Sequence, residues 1–127
     1  MLLDDKSNSI NLRITMRIPI NIMVLAWGMH PETFSSGQAF LDSLAVSRPD
    51  CVLLELHMPG LSGMDVLKAL VGAKEIVPVI VITGRDEPAS RALCLSAGAR
   101  SYLTKPLDQA KLLQAIEEAL AGVPSGS

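Results

Sequence analysis

PDCVLLELHMPGLSG, residues 49–63, holds a short, nearly continuous apolar run from Cys51 to Leu56, interrupted by Glu55 and stopped by His57-Met58-Pro59-Gly60. An apolar run of that length without alternation suits a strand covered on both faces, as in a parallel sheet. Ser62 and Asp65 then have the spacing of a helical capping box, and Met64 to Val71 gathers Val66, Leu67, Leu70 and Val71 on one face. A buried strand, a short loop and a capped helix make one βα unit.

The same alternation extends outward. Val77 to Thr83 (VPVIVIT) is a second β-branched run, Ser101 to Leu103 a shorter third, and Glu32 to Phe34 a fainter fourth. Helical periods lie between them. Gly37 to Val46 aligns Phe40, Leu41 and Leu44. Pro88 to Ala97 opens with proline in its first turn and stops at Gly98. Asp108 to Ala121 carries Leu112, Leu113, Ile116 and Leu120, with Asp108 placed to cap it and Gly122 to end it. This order predicts right-handed βαβ units and a doubly wound parallel α/β sheet. One domain over residues 1–122 is expected, with 123–127 (VPSGS) a polar, disordered tail.

Residues 1–27 are an atypical first unit and support two readings. From Ile10 to Val24 every even position is apolar, which argues for one strand or two strands bent at Pro19. Ile14, Ile18, Ile22 and Leu25 also share a helical face, with Pro19 opening a short helix that ends at Gly28.

Composition narrows the function. The chain has 127 residues, 49% of them apolar and 19% charged, enough for one core that buries about two-thirds of the unfolded surface. Eleven basic against thirteen acidic residues give a net charge of −2, and there are one Trp, one Tyr and two Phe. Neither a cationic nucleic-acid or membrane-surface binder nor a stacking platform for single strands fits. Cys51 and Cys94 sit in apolar runs without metal-ligand spacing and read as core thiols of a reducing compartment. Asp4 and Asp5 spoil a secretory n-region, and no apolar stretch is long enough for a bilayer span. A cytoplasmic domain is expected.

Ligands of open parallel sheets bind outside the carboxyl ends of the strands. Glu55, Thr83 and Lys105 stand at three such ends, followed by the loops His57–Gly60, Gly84–Glu87 and Pro106. A carboxylate, a hydroxyl and an ammonium on one rim form either a polar site or a salt bridge that satisfies two charges, and their separate strand ends favour a site.

At these residues the sequence resembles response-regulator receiver domains of two-component signalling. Residues 49–63 are similar to the family's phosphorylation segment, Val79 to Gly84 to its fourth-strand signature, and Ala97 to Pro106 to its fifth, all in order over about Gly28 to Leu120. The resemblance implies a flavodoxin-like (βα)5 sheet of order 2-1-3-4-5 that takes a phosphoryl group from a histidine kinase in a phosphorelay. By that pattern Thr83 and Tyr102 are the switch residues, Lys105 contacts phosphate, and the Lys105–Pro106 bond is cis. Mg²⁺ is the implied cofactor, held by Asp4, Asp5, the acceptor and the backbone carbonyl of His57. The segments Pro88–Ala97, Ser101–Leu103 and Asp108–Ala121 form the implied docking face, for a signalling protein or a second copy.

Two departures qualify this. The phosphoacceptor position holds Glu55 where the family has aspartate, so the carboxylate projects one methylene further. In-line transfer depends on placement, and ~1 Å can cost about 10²-fold. The longer side chain is expected to reach Lys105 and Thr83 directly and to mimic part of the activated state, with −1 charge against roughly −1.5 to −2 on a phosphoryl group. The second departure concerns the first strand. If it is Leu2 to Asp5, Asp4 and Asp5 are the metal carboxylates. If it lies in Ile10 to Ile18, they belong to a solvated terminus.

His57, Ser62 and Asp65 show no arrangement of nucleophile, base and orienter, and Gly60-Leu61-Ser62-Gly63 lacks the lysine of a phosphate loop. A non-enzymatic pseudo-receiver that signals by protein contact is the preferred reading. A receiver phosphorylated on Glu55 with Mg²⁺ is the alternative, and a small-molecule binder on the same scaffold ranks lower.

Overall fold

The computed structural model describes residues 10–15, 28–57, 60–73 and 77–121. Along the chain run β1 (Ile10–Thr15), β2 (Met29–Thr33), α1 (Gly37–Ser43), β3 (Cys51–Glu55), α2 (Gly63–Gly72), β4 (Val79–Thr83), α3 (Pro88–Ser96), β5 (Ser101–Thr104) and α4 (Gln109–Ala121). The strands form one sheet in the order β2-β1-β3-β4-β5, and every pair is parallel. This is the expected doubly wound, flavodoxin-like arrangement.

The sheet explains why β3 and β4 are apolar without alternation, because both faces are covered. Leu12, Ile14, Cys51, Leu53, Ile80 and Ile82 pack against Leu112, Ala115, Ile116 and Ala119 of α4. On the other face Val52, Leu54, Val79, Val81 and Tyr102 meet Phe40, Val66, Leu67, Leu70 and Cys94 of α1, α2 and α3. Each fully buried Leu, Ile or Val side chain contributes roughly 1.5–3 kcal/mol. Helix starts follow their capping residues. Ser62 and Asp65 form the reciprocal capping box of α2, and the Asp108 carboxylate accepts from the Ala110 and Lys111 amides at the start of α4.

Of the two readings of the amino-terminal segment, the strand within Ile10 to Ile18 is the one found, ending at Thr15 and lying between β2 and β3. A strand at Leu2–Asp5 and the helix or bend around Pro19 lie outside the described residues, as does the tail 123–127.

Two sequence expectations are corrected, and one buried side chain comes without a sequence expectation. The second strand is Met29–Thr33, not Glu32–Phe34; it is an edge strand whose one buried apolar side chain is Met29, so its sequence carries little of a strand's signature. Helix α1 ends at Ser43 instead of Val46, because the next turn tightens to i→i−3 bonds from the Leu44, Ala45 and Val46 amides, which leaves Val46 88% exposed. Arg13, in a strand position that alternation assigns to a polar face, is only 2% exposed. Its guanidinium donates to the Ser43 hydroxyl at 2.8 Å, the Ser47 carbonyl at 2.9 Å and the Ser47 hydroxyl, with Glu32 at 3.7 Å. A buried arginine thus ties β1 to the last residue of α1, through the Ser43 hydroxyl, and to the turn beyond it, through Ser47.

Candidate functional site

Parallel register brings the sequence-selected residues to one end of the sheet. Glu55 is the last residue of β3 and lies beside Ile82, while Thr83 ends β4 opposite Thr104. Lys105 follows β5, its amide donates to the Thr83 carbonyl at 2.8 Å, and the Lys105–Pro106 bond is cis. The end of β3 is fixed from behind by α2. The Gly63 amide donates to the Leu56 carbonyl at 2.8 Å, and a Cβ on Gly63 would stand 2.6 Å from the Glu55 carbonyl oxygen and 2.7 Å from Leu56 Cα. Only glycine lets α2 approach this closely.

The Lys105 ammonium donates to Glu55 Oε1 in a hydrogen-bonded ion pair, and the His57 amide approaches Oε2 at 3.4 Å. The glutamate side chain is 10% exposed and that of lysine 29%. A unit pair at ~4 Å near a surface has a gross attraction of about 4 kcal/mol before desolvation is subtracted. Above the pair opens a cleft of about 420 Å³ lined by Glu55, His57, Gly84, Arg85 and Lys105.

The expectation that Glu55 reaches both Lys105 and Thr83 holds for the lysine alone. The Thr83 hydroxyl turns to Arg85, donating to its carbonyl at 3.2 Å and accepting from its amide at 3.1 Å. The Tyr102 hydroxyl donates to the same Arg85 carbonyl at 3.3 Å. The tyrosine ring is buried, with the Arg91 guanidinium 4.8 Å from its centroid. Burial pushes the Tyr102 phenol above its ordinary value, opposed in part by the Glu87 backbone and the Arg91 charge. The resemblance thus led to Thr83 and Tyr102, but not to the carbonyl they share or to Arg91. An arginine in the second turn of an amphipathic helix is indistinguishable in sequence from a solvated surface residue.

The donors for Mg²⁺ in this rim do not make a set. Among the described residues they are the Glu55 carboxylate, already paired with an ammonium, and the His57 carbonyl, and no group of three or more His, Cys, Asp or Glu side chains converges. Asp4 and Asp5 precede β1 in sequence and lie outside the described residues, and the chain from Met16 to Trp27 contains neither Asp nor Glu. The described residues alone do not complete a site for the ion, and no step is routed through it.

Comparison with known proteins agrees with this architecture. Residues 13–117 match the family model of the response regulator receiver domain. The chain is 34% identical over 105 residues to the response regulator protein TodT of Pseudomonas putida, covering 83% of this chain and 46% of that protein. It is 38% identical over 86 residues to the response regulator MprA of Mycobacterium tuberculosis, covering 68% of this chain and 37% of that one. The chain therefore spans about half, or less, of the length of these relatives. The crystal structure of FixJ-N superposes with a TM-score of 0.81 at 26% identity, covering 91% of this chain and 97% of that one. Sheet order, the placement of Thr83, Tyr102 and Lys105, and these similarities together make the chain a member of the response-regulator receiver domain family.

Proposed function

We propose that this receiver domain works as a pseudo-receiver, with Glu55 acting as a permanent negative charge in place of a phosphorylated aspartate. The ion pair between Glu55 and Lys105 is the observation that carries this reading. The carboxylate at the acceptor position is already engaged by the ammonium that the family uses on phosphate, so no covalent modification is needed to bring the two together.

On this reading the output is protein contact rather than catalysis. The face made by α3, β5 and α4 presents a groove of about 200 Å³ lined by residues that include Arg91, Tyr102, Leu103 and Lys111. Its partner is a histidine kinase, another signalling protein or a second copy of the chain, in the cytoplasm. No helix among the described residues is long and apolar enough to cross a membrane.

Intact-mass spectrometry after incubation with a small acyl-phosphate donor and Mg²⁺ tests the proposal, with Glu55→Asp and Glu55→Gln run in parallel. No mass gain on the native chain is expected, because the Glu55 carboxylate projects one methylene further than aspartate and is held by Lys105. Phosphate on Glu55→Asp alone would leave Glu55 as the block while showing that metal is held. Phosphate on the native chain that disappears in Glu55→Gln overturns the proposal in favour of a working receiver.

A further inference from the structure

We infer that Arg91 is a positioning residue: it holds the Tyr102 ring inward, and through the Arg85 carbonyl shared with Thr83 it ties the Glu55–Lys105 rim to the groove between α3, β5 and α4. Three observations meet here. Tyr102 and Thr83 donate to one carbonyl oxygen, at 3.3 and 3.2 Å, so a movement of either hydroxyl changes the demand on the acceptor of the other. The tyrosine bond is at the long end of hydroxyl hydrogen bonds and is by itself a weak tether. The guanidinium of the exposed Arg91 covers the ring face at 4.8 Å, a cation–π contact that adds to the weak hydrogen bond in holding the ring.

Arg91 is also part of the groove wall, together with Tyr102, Leu103, Pro106, Leu107 and Lys111. One side chain therefore faces both the ring and the docking surface. Whatever occupies the groove meets the residue that keeps the ring in. The inference deepens the reading of Thr83 and Tyr102 as a switch pair, and its test uses no phosphate donor and no partner, so it fails or succeeds separately from the phosphorylation experiment.

Tyr102 is the chain's one tyrosine, so ¹³C labelling of tyrosine rings yields a single reporter. The groups that set its ionisation are the burying environment, the Glu87 backbone, Cys94, Asp86 and Arg91. In the native chain the ring signal should titrate above the ordinary tyrosine value of about 10. Arg91→Ala should lower the midpoint toward that value, because the released ring reaches water, and Arg91→Lys should return it most of the way. A ring that stays buried without Arg91 gives the opposite sign, since it loses a neighbouring cation. An unchanged or higher midpoint in folded Arg91→Ala therefore overturns the inference. Arg91→Met, which keeps the aliphatic stem and loses the charge, provides a readout at pH 7. The Arg85 and Asp86 amide resonances should shift in the same direction as in Tyr102→Phe, and unmoved resonances in the folded variant refute the tie.

Discussion

Removing the ammonium from the Glu55–Lys105 pair should destabilise the domain more than removing the carboxylate. The glutamate side chain is 10% exposed and the lysine 29%, so the two partners differ in what each loses when left alone. Lys105→Met takes the countercharge from a nearly buried carboxylate that keeps the His57 amide, at the end of an otherwise apolar strand. Stripping a fully buried pair of one member costs about 3–5 kcal/mol, and an exposed pair about 0–1. With one side open to the cleft, Lys105→Met should cost about 2–3 kcal/mol. In Glu55→Gln the lysine is free to swing into the cleft and recover water, and the cost should be about 1 kcal/mol. The double variant Glu55→Gln/Lys105→Met should cost less than the sum, with a coupling of about 1–2 kcal/mol. Urea unfolding followed by far-UV circular dichroism measures all four proteins. At an m-value of about 1–3 kcal/mol/M, Lys105→Met should move the midpoint down by about 1–2 M. A coupling below ~0.3 kcal/mol, or Glu55→Gln proving the costlier single change, would refute the reasoning.

Gly63→Ala should cost about 1–3 kcal/mol in the same unfolding assay, because its Cβ meets backbone at 2.6 and 2.7 Å and α2 must move off the end of β3. Arg13→Ala should cost about 1–3 kcal/mol, from the lost buried stem and its hydrogen bonds to Ser43 and Ser47, offset in part by removing a buried Nε that has no hydrogen-bond partner; a loss under ~0.5 kcal/mol would show that water replaces the guanidinium freely. Ser62→Ala should cost about 1 kcal/mol at pH 7. The partnering Asp65 carboxyl is held below its ordinary value by the Ser62 amide and hydroxyl. Its contribution is therefore present above the unfolded carboxylate range and fades as pH falls through the folded value, so the penalty of Asp65→Asn should shrink in unfolding curves taken below about pH 4. Burial pushes the Cys51 thiol up to about 12, so in the native state it should resist maleimide at pH 8. A raised thiol stabilises below the unfolded value and loses that contribution as pH climbs toward about 12, giving an alkaline loss of stability that Cys51→Ala should lessen.

What was legible in the sequence follows from how strongly each residue's surroundings dictate its type. β3 and β4 must be apolar on two faces, and their runs are unmistakable. Ser62, Asp65 and Asp108 perform a capping chemistry that few residue types supply, so their spacing marks the helix starts. The rim was legible too, because a charged residue at the end of a buried strand needs a reason, and Glu55 and Lys105 supply each other's. β2 was misplaced because an edge strand of composition Met-His-Pro-Glu-Thr is written mostly for solvent. Arg13 was invisible because its burial is set by the loop after α1, far away in sequence. Thr83 was assigned a partner across the rim when a nearer one, the Arg85 backbone, lay two residues on. That choice depends on the local turn, which residue type alone does not encode.

The interior position of β1 also bears on how the chain is made. Leu12 sits opposite Pro31 on one flank and Cys51 on the other, so the strand has no complete home until β3 has been synthesised. At about 5–20 residues per second, that leaves Leu12 and Ile14 on a nascent chain for a time on the order of seconds, when unpaired apolar strands associate with one another. Arg13, placed between them, sets a positive charge in the middle of that segment and discourages such stacking. The guanidinium that ties β1 to the end of α1 in the finished domain is thus also the one charge within Leu12 to Ile14 before the neighbouring strands exist.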